Sequence, residues 1–123
     1  MELHEAWCKE TCHPSYRDKW SPYNPAVGQC LVTALCVQDK YGGDIWSVKV
    51  GRNSHFVNVI DGALHDLTIS QFFNGQPEWF YPVSYPQILY RNPQKRNRED
   101  LLKNKDTKER YLLLKSRLDE GGI

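Results

Sequence analysis

The sequence predicts an α+β fold: one buried helix packed on a small antiparallel sheet, with further helices at the N- and C-terminal ends. Three observations lead there. Residues 28–41 have helical spacing with few polar positions, residues 45–67 switch to a period of two, and residues 98–118 return to a helical pattern. A chain of 123 residues suits one domain, 1–123, and Trp7, Trp20, Trp46 and Trp79 supply large side chains for a core.

Taken in order, Leu3, Ala6 and Trp7 predict a short helix over the first dozen residues, stopped at His13-Pro14. Residues 14–27 carry Pro14, Tyr16, Trp20, Pro22, Tyr23 and Pro25, and read as a packed-down loop of the kind that walls a site. From Gly28 to about Tyr41, Leu31, Val32, Leu35 and Val37 mark a largely buried helix, with Gly42-Gly43 as its stop. Ile45, Val48 and Val50 predict a first strand, ending at Gly51-Arg52-Asn53. His55–Ile60 predicts a second, and Ala63–Leu67 returns after the Asp61-Gly62 turn. Thr68–Phe73 reads as one helical turn. Residues 74–93 form an irregular, aromatic, proline-rich stretch with an edge strand around Ile88-Tyr90. Two helices end the chain, Arg98 to about Asn104 and Thr107–Leu118, the second behind an Asp106…Glu109 capping box. Leu112, Leu113 and Leu114 are too many apolar neighbours for one narrow stripe, which predicts that this last helix packs on two sides.

Composition narrows the function classes. Net charge is +1, with 40% hydrophobic and 25% charged residues, an ordinary balance that gives no global field for nucleic acid. The basic residues between Arg91 and Arg110 alternate with Glu99, Asp100, Asp106 and Glu109, the pattern of a solvated helical face. No apolar run approaches the roughly 18–20 residues of a membrane span, and the N-terminus lacks the pattern of a signal peptide. A cytoplasmic location is the expectation, with Cys8, Cys12, Cys30 and Cys36 reduced. Cys8, Cys12 and His13 lack the second ligand cluster that a zinc site uses, so no metal and no cofactor is expected.

The chemistry concentrates on Cys30, His55 and Asp66. Cys30 falls in the first turn of the buried helix, where unpaired N–H groups and the helix dipole favour a thiolate. With Asp61-Gly62 as a two-residue turn, Ile60 pairs with Ala63 and Val57 with Asp66. His55 shares the face of Val57, which makes His55 and Asp66 diagonal neighbours about 7 Å or less apart. His65 has the opposite parity, and His4 and His13 precede the proline-rich loop in no fixed relation to Cys30. A base on a strand, oriented by an acid and facing a nucleophile at a helix start, is the arrangement of acyl transfer.

The run Trp20-Ser21-Pro22-Tyr23-Asn24-Pro25-Ala26-Val27-Gly28-Gln29-Cys30, with Val37-Gln38-Asp39, Gly42-Gly43, Ser54-His55, Asn58, Asp61-Gly62, Asp66-Leu67-Thr68 and the Arg110-Tyr111 to Leu118 ending, resembles the bacterial YunG-like family. One departure is Phe56-Val57, where that family more often has Tyr-Trp after Ser-His. Its order of Cys, strand His, strand Asp is similar to papain-like and transglutaminase-like folds. The resemblance implies a papain-like, thiol-dependent hydrolase or acyltransferase acting on an amide, isopeptide or thioester through an acyl-enzyme. Asn24 lies at the offset where papain-like enzymes carry a side-chain oxyanion donor. Gln29 competes for that role, and Trp20 is a candidate cleft wall. The alternative is a non-catalytic binding or regulatory module that keeps the fold. The acyl substrate and the oligomeric state are not set by the sequence.

Overall fold

Extended backbone at Cys8 (φ −143°) ends the first helix early. In the computed structural model, which describes residues 3–73 and 90–121, α1 spans only Leu3–Ala6. The expected dozen-residue helix is interrupted because the Thr11 hydroxyl takes both backbone groups of Cys8: it accepts the Cys8 N–H at 3.0 Å and donates to the Cys8 carbonyl at 2.9 Å. Short 3₁₀ turns follow at Lys9–Thr11 and Pro14–Lys19, the second one capped by His13.

The buried helix is α2 (Cys30–Tyr41), with an unbroken run of buried residues from Val32 to Val37. It stops at Gly42, whose φ of 73° suits glycine and whose N–H closes on the Gln38 carbonyl at 2.9 Å. Next come β1 (Asp44–Val50), β2 (Asn53–Ile60) and β3 (Ala63–His65). Asp61 and Gly62 both have positive φ, 51° and 78°, the backbone of a tight hairpin turn, and Ile60 pairs with Ala63 as the two-residue turn requires. The returning strand ends at His65 rather than Leu67.

The fourth strand is β4 (Arg91–Arg96), and the antiparallel sheet has the order β3-β2-β1-β4. Of the edge strand expected at Ile88-Tyr90, only Tyr90 lies among the described residues, and the observed edge begins just after it. The run Arg-Asn-Pro-Gln-Lys-Arg has no apolar alternation; its pairing comes from the free side of β1, and charged residues with a proline are what an open edge tolerates.

Pairing divides the sheet into two faces. Ile45 opposite Asn58 and Ser47 opposite Phe56 lie on one; Trp46 opposite Val57 and Val48 opposite His55 lie on the other. The first face joins the core, where Ile45 packs with Val32, Leu35, Leu101, Tyr111 and Leu114. Asn58, buried there, donates to the Ala34 carbonyl at 3.0 Å and so ties β2 to α2. On the far side of α2, the Trp7 indole N–H donates to the Thr33 hydroxyl at 2.9 Å.

The tail forms α3 (Arg98–Leu101) and α4 (Lys105–Gly121). The expected capping box is replaced: Asn104 accepts the Thr107 N–H at 3.0 Å, and Asp106 instead pairs with Arg110 one turn on, at 2.8 Å. Nor does α4 bury two sides among the described residues. Leu114 is fully buried, whereas Leu112 and Leu113 are 49% and 38% exposed.

Candidate functional site

Cys30 is the first residue of α2. The Gln29 carbonyl accepts the Thr33 N–H at 3.0 Å as the opening helical bond, so the N–H groups of Cys30, Leu31 and Val32 have no acceptor within the helix. Their positive end faces the thiol. Gly28, just upstream, has φ +69°, and a β-carbon there would sit 2.6 Å from Cys12 Sγ. Its small size therefore serves close packing against the Cys12-His13 segment, which brings that segment to the start of α2.

His55 and Asp66 meet as expected, although Asp66 lies one residue past β3 rather than on it. His55 Nε2 lies 2.7 Å from Asp66 Oδ2, and both side chains are 3% exposed. His65, of opposite parity, is exposed. With Nε2 engaged by the carboxylate, Nδ1 is the ring nitrogen left for Cys30. Burial alone would push the His55 pKa down. Hydrogen bonds to Asp66 and Cys30, reinforced by their charges, outweigh it and raise the pKa to about 9.

Asp66 is fixed on both oxygens. Oδ1 accepts the Thr68 N–H at 3.3 Å and the Thr68 hydroxyl at 3.4 Å, while Oδ2 also accepts the Tyr90 hydroxyl at 2.7 Å. The Tyr90 ring stacks parallel to the imidazole (interplanar angle 5°, centroids 6.3 Å apart), and Phe72 meets it edge-on at 5.0 Å. Sequence reasoning places neither ring at the site. Tyr90 follows a proline-rich stretch with no period, and Phe72 reads as an ordinary apolar residue.

Cys30 and His55 line one cleft of about 420 Å³, walled by His13 and Tyr16 on one side and by Phe56, Gln71 and Phe72 on the others. His13 thus has the fixed relation to Cys30 that its sequence position hides. Its Nδ1 accepts the Ser15 N–H at 3.1 Å, which puts the proton of the neutral ring on Nε2. Burial, with Arg110 nearby, holds its pKa below the ordinary histidine value.

The other expected site residues sit outside this cleft. Asn24 Nδ2 donates to the Gln71 carbonyl at 3.2 Å, holding the proline-rich loop to the wall that carries Phe72. Gln29 is fully buried and its Nε2 donates to the Cys8 carbonyl at 3.0 Å. The Trp20 indole N–H donates within its own loop, to the Pro25 carbonyl at 3.0 Å. All three brace the loop and the helix start. Among the described residues no three His, Cys, Asp or Glu side chains are grouped to hold a metal ion, and all four cysteines are free thiols.

A larger cavity, about 1060 Å³, lies elsewhere, between α1, the second half of α2 and the end of α4. It is lined by Cys36 and Asp39 among others, and by none of Cys30, His55 or Asp66. Among the described residues no helix is long and apolar enough to cross a membrane.

The description "YunG protein" matches residues 1–121, and the chain belongs to that family. It is similar to the "Uncharacterized protein YunG" of Bacillus subtilis (strain 168), with 41% identity over 70 residues. That match covers 57% of this chain and 56% of the relative, so it spans just over half of each. No solved structure matches the chain.

Proposed function

We propose that this member of the YunG family is a thiol-dependent hydrolase or acyltransferase of papain-like arrangement, with Cys30 as nucleophile, His55 as its acid and base, and Asp66 as the orienting carboxylate. The observation that carries the reading is His55: a buried imidazole held by Asp66 through Nε2, its pKa raised by Asp66 and Cys30, with Cys30 lining the same open cleft. Burial normally keeps histidine neutral, so a ring held charged beside a helix-start cysteine has the electrostatics of a thiolate–imidazolium pair. The chain order of a cysteine at a helix start, then a histidine on β2, then an aspartate one residue past β3 supports the papain-like part.

In the proposed cycle the Cys30 thiolate adds to a carbonyl carbon, and the electron pair moves onto the carbonyl oxygen. The Cys30 N–H, free of any helical acceptor, is one donor for that oxyanion. The neutral His13 Nε2–H, lining the same cleft, is the second, taking the role that Asn24 and Gln29 leave open by bonding elsewhere. Collapse expels an amine, ammonia or thiol, protonated by His55 Nδ1–H, and leaves a thioester on Cys30. Neutral His55 then takes a proton from water, or from an acceptor amine, as that group attacks the thioester. Cleavage of the C–S bond returns the thiolate and the imidazolium.

The test is the pH dependence of iodoacetamide alkylation, with the modified cysteine located by mass spectrometry, in wild type and His55→Ala. At pH 7 a thiol of ordinary pKa is only a few per cent ionised, while a paired thiol is mostly thiolate but less nucleophilic, so the net advantage is about tenfold. Cys30 should react selectively and lose about that factor in His55→Ala. If Cys30 reacts no faster than Cys8, and His55→Ala changes nothing, the chain is a binding module rather than an enzyme.

A further inference from the structure

We infer that Tyr90 is a positioning residue for the His55–Asp66 pair, delivered to it by one extra residue in β4. The inference rests on the proposed reading of the site and adds a group to it.

The placement follows from strand register. Ser47 pairs with Gln94 and Lys49 with Arg91, so two steps along β1 match three along β4, and β4 bulges by one residue between them. Without the bulge, Gln94 opposite Ser47 would put Pro93 opposite Val48, Asn92 opposite Lys49 and Tyr90 opposite Gly51. Tyr90 would then lie on the face of Ser47 and Lys49, away from His55. With the bulge, Arg91 shares the face of Lys49 and Tyr90 falls on the alternate one, that of Val48, which pairs with His55. The local residues suit this irregularity. Asn92 takes φ 49°, a left-handed conformation asparagine tolerates better than most, and Pro93 has no N–H to leave unpaired where the ladder breaks.

What Tyr90 does there follows from the atom it chooses. Its hydroxyl donates to Asp66 Oδ2 at 2.7 Å, the same oxygen that holds His55 Nε2 at 2.7 Å. Thr68 anchors Oδ1, so the two residues pin the carboxylate at both ends and leave it little freedom to rotate. The parallel Tyr90 ring faces the imidazole plane, and Phe72 closes its edge. A second donor on Oδ2 also draws on the same negative charge that holds the imidazolium, so Tyr90 tempers the hold of Asp66 as well as aiming it. The consequence is a base that releases its proton more readily than an Asp66–His55 pair alone would allow.

The test is an NMR titration of the His55 ring in the full chain, comparing wild type, Tyr90→Phe, Asp66→Asn and the double variant. Tyr90→Phe keeps the ring stack and removes only the hydroxyl. It should raise the His55 pKa by about half a unit or more, because the carboxylate then serves the imidazolium alone. In the Asp66→Asn background the same substitution should shift it little, since the effect passes through Asp66. An unmoved titration in Tyr90→Phe overturns the inference, as does a shift that persists at full size without the Asp66 carboxylate. These readouts do not require turnover. A Cys30 that ignores iodoacetamide would defeat the proposed function and leave this titration standing; an unmoved titration would do the reverse.

Discussion

Cys30 and Cys36 stand on one helix, fewer than two turns apart, and their surroundings give them different chemistry. Cys36 belongs to the apolar core, 9% exposed, and its thiol is pushed up to about 12, first by burial and then by Asp39. Cys30 begins the helix, opens onto a cleft, and helps raise the pKa of the neighbouring His55. Cys12 repeats the Cys36 case, its thiol raised to about 11 chiefly by burial. Residue type therefore says little about what surrounds a thiol in this chain. What matters is which end of a helix a thiol occupies and what the sheet presents to it.

The comparison can be pressed in order of expected effect. Cys36→Ser puts a hydroxyl in the core without an assigned partner and should cost about 1–3 kcal/mol in urea unfolding. Cys30→Ser, at the partly exposed helix start, should cost less than half as much. Equal costs would mean that the two positions are equally embedded. Gly28→Ala forces a left-handed φ on alanine and drives its β-carbon to 2.6 Å from Cys12 Sγ. A loss of about 1–2 kcal/mol is expected, with Cys30 alkylation slowed and Cys36 still protected in the folded protein. A variant of wild-type stability would show that the close approach at Gly28 is slack.

The smallest effect is one of pH. The folded pKa of His55 is raised above the ordinary 6.5, to about 9, so its contribution to stability is complete below about pH 6.5. Stability should then fall as pH rises toward about 9. Asp66→Asn should flatten that slope. A slope of the same size in Asp66→Asn would locate the titration elsewhere.

Much of this geometry was legible because it is local. Asp61-Gly62 sets the hairpin register by itself, and that register returns the chain so that Asp66, one residue past β3, reaches His55. Gly42-Gly43 marks the end of α2 for an equally local reason, the positive φ at both glycines. The parts that were not legible depend on distant partners. Nothing in Arg91–Arg96 signals a strand until β1 offers its free side, and Tyr90 joins the site only through the bulge that this pairing creates. The amide partners of Asn24 and Gln29 were not legible either, because their acceptors, the carbonyls of Gln71 and Cys8, lie far along the chain. The first helix failed for a smaller reason, a hydroxyl at Thr11 that competes for the Cys8 backbone.

The bonds around Asp66 also imply an order of events during folding. His55 is 11 residues from Asp66, within reach of a single hairpin, whereas Tyr90 is 24 residues away and arrives only when β4 docks on β1. Loop closure slows as contacts become less local. A nascent or partly unfolded chain can thus hold its histidine and aspartate together before either Cys30 or Tyr90 is in place. The cysteine meets that pair only after α2 has settled against β2, so the three side chains come together late, when the molecule around them is complete.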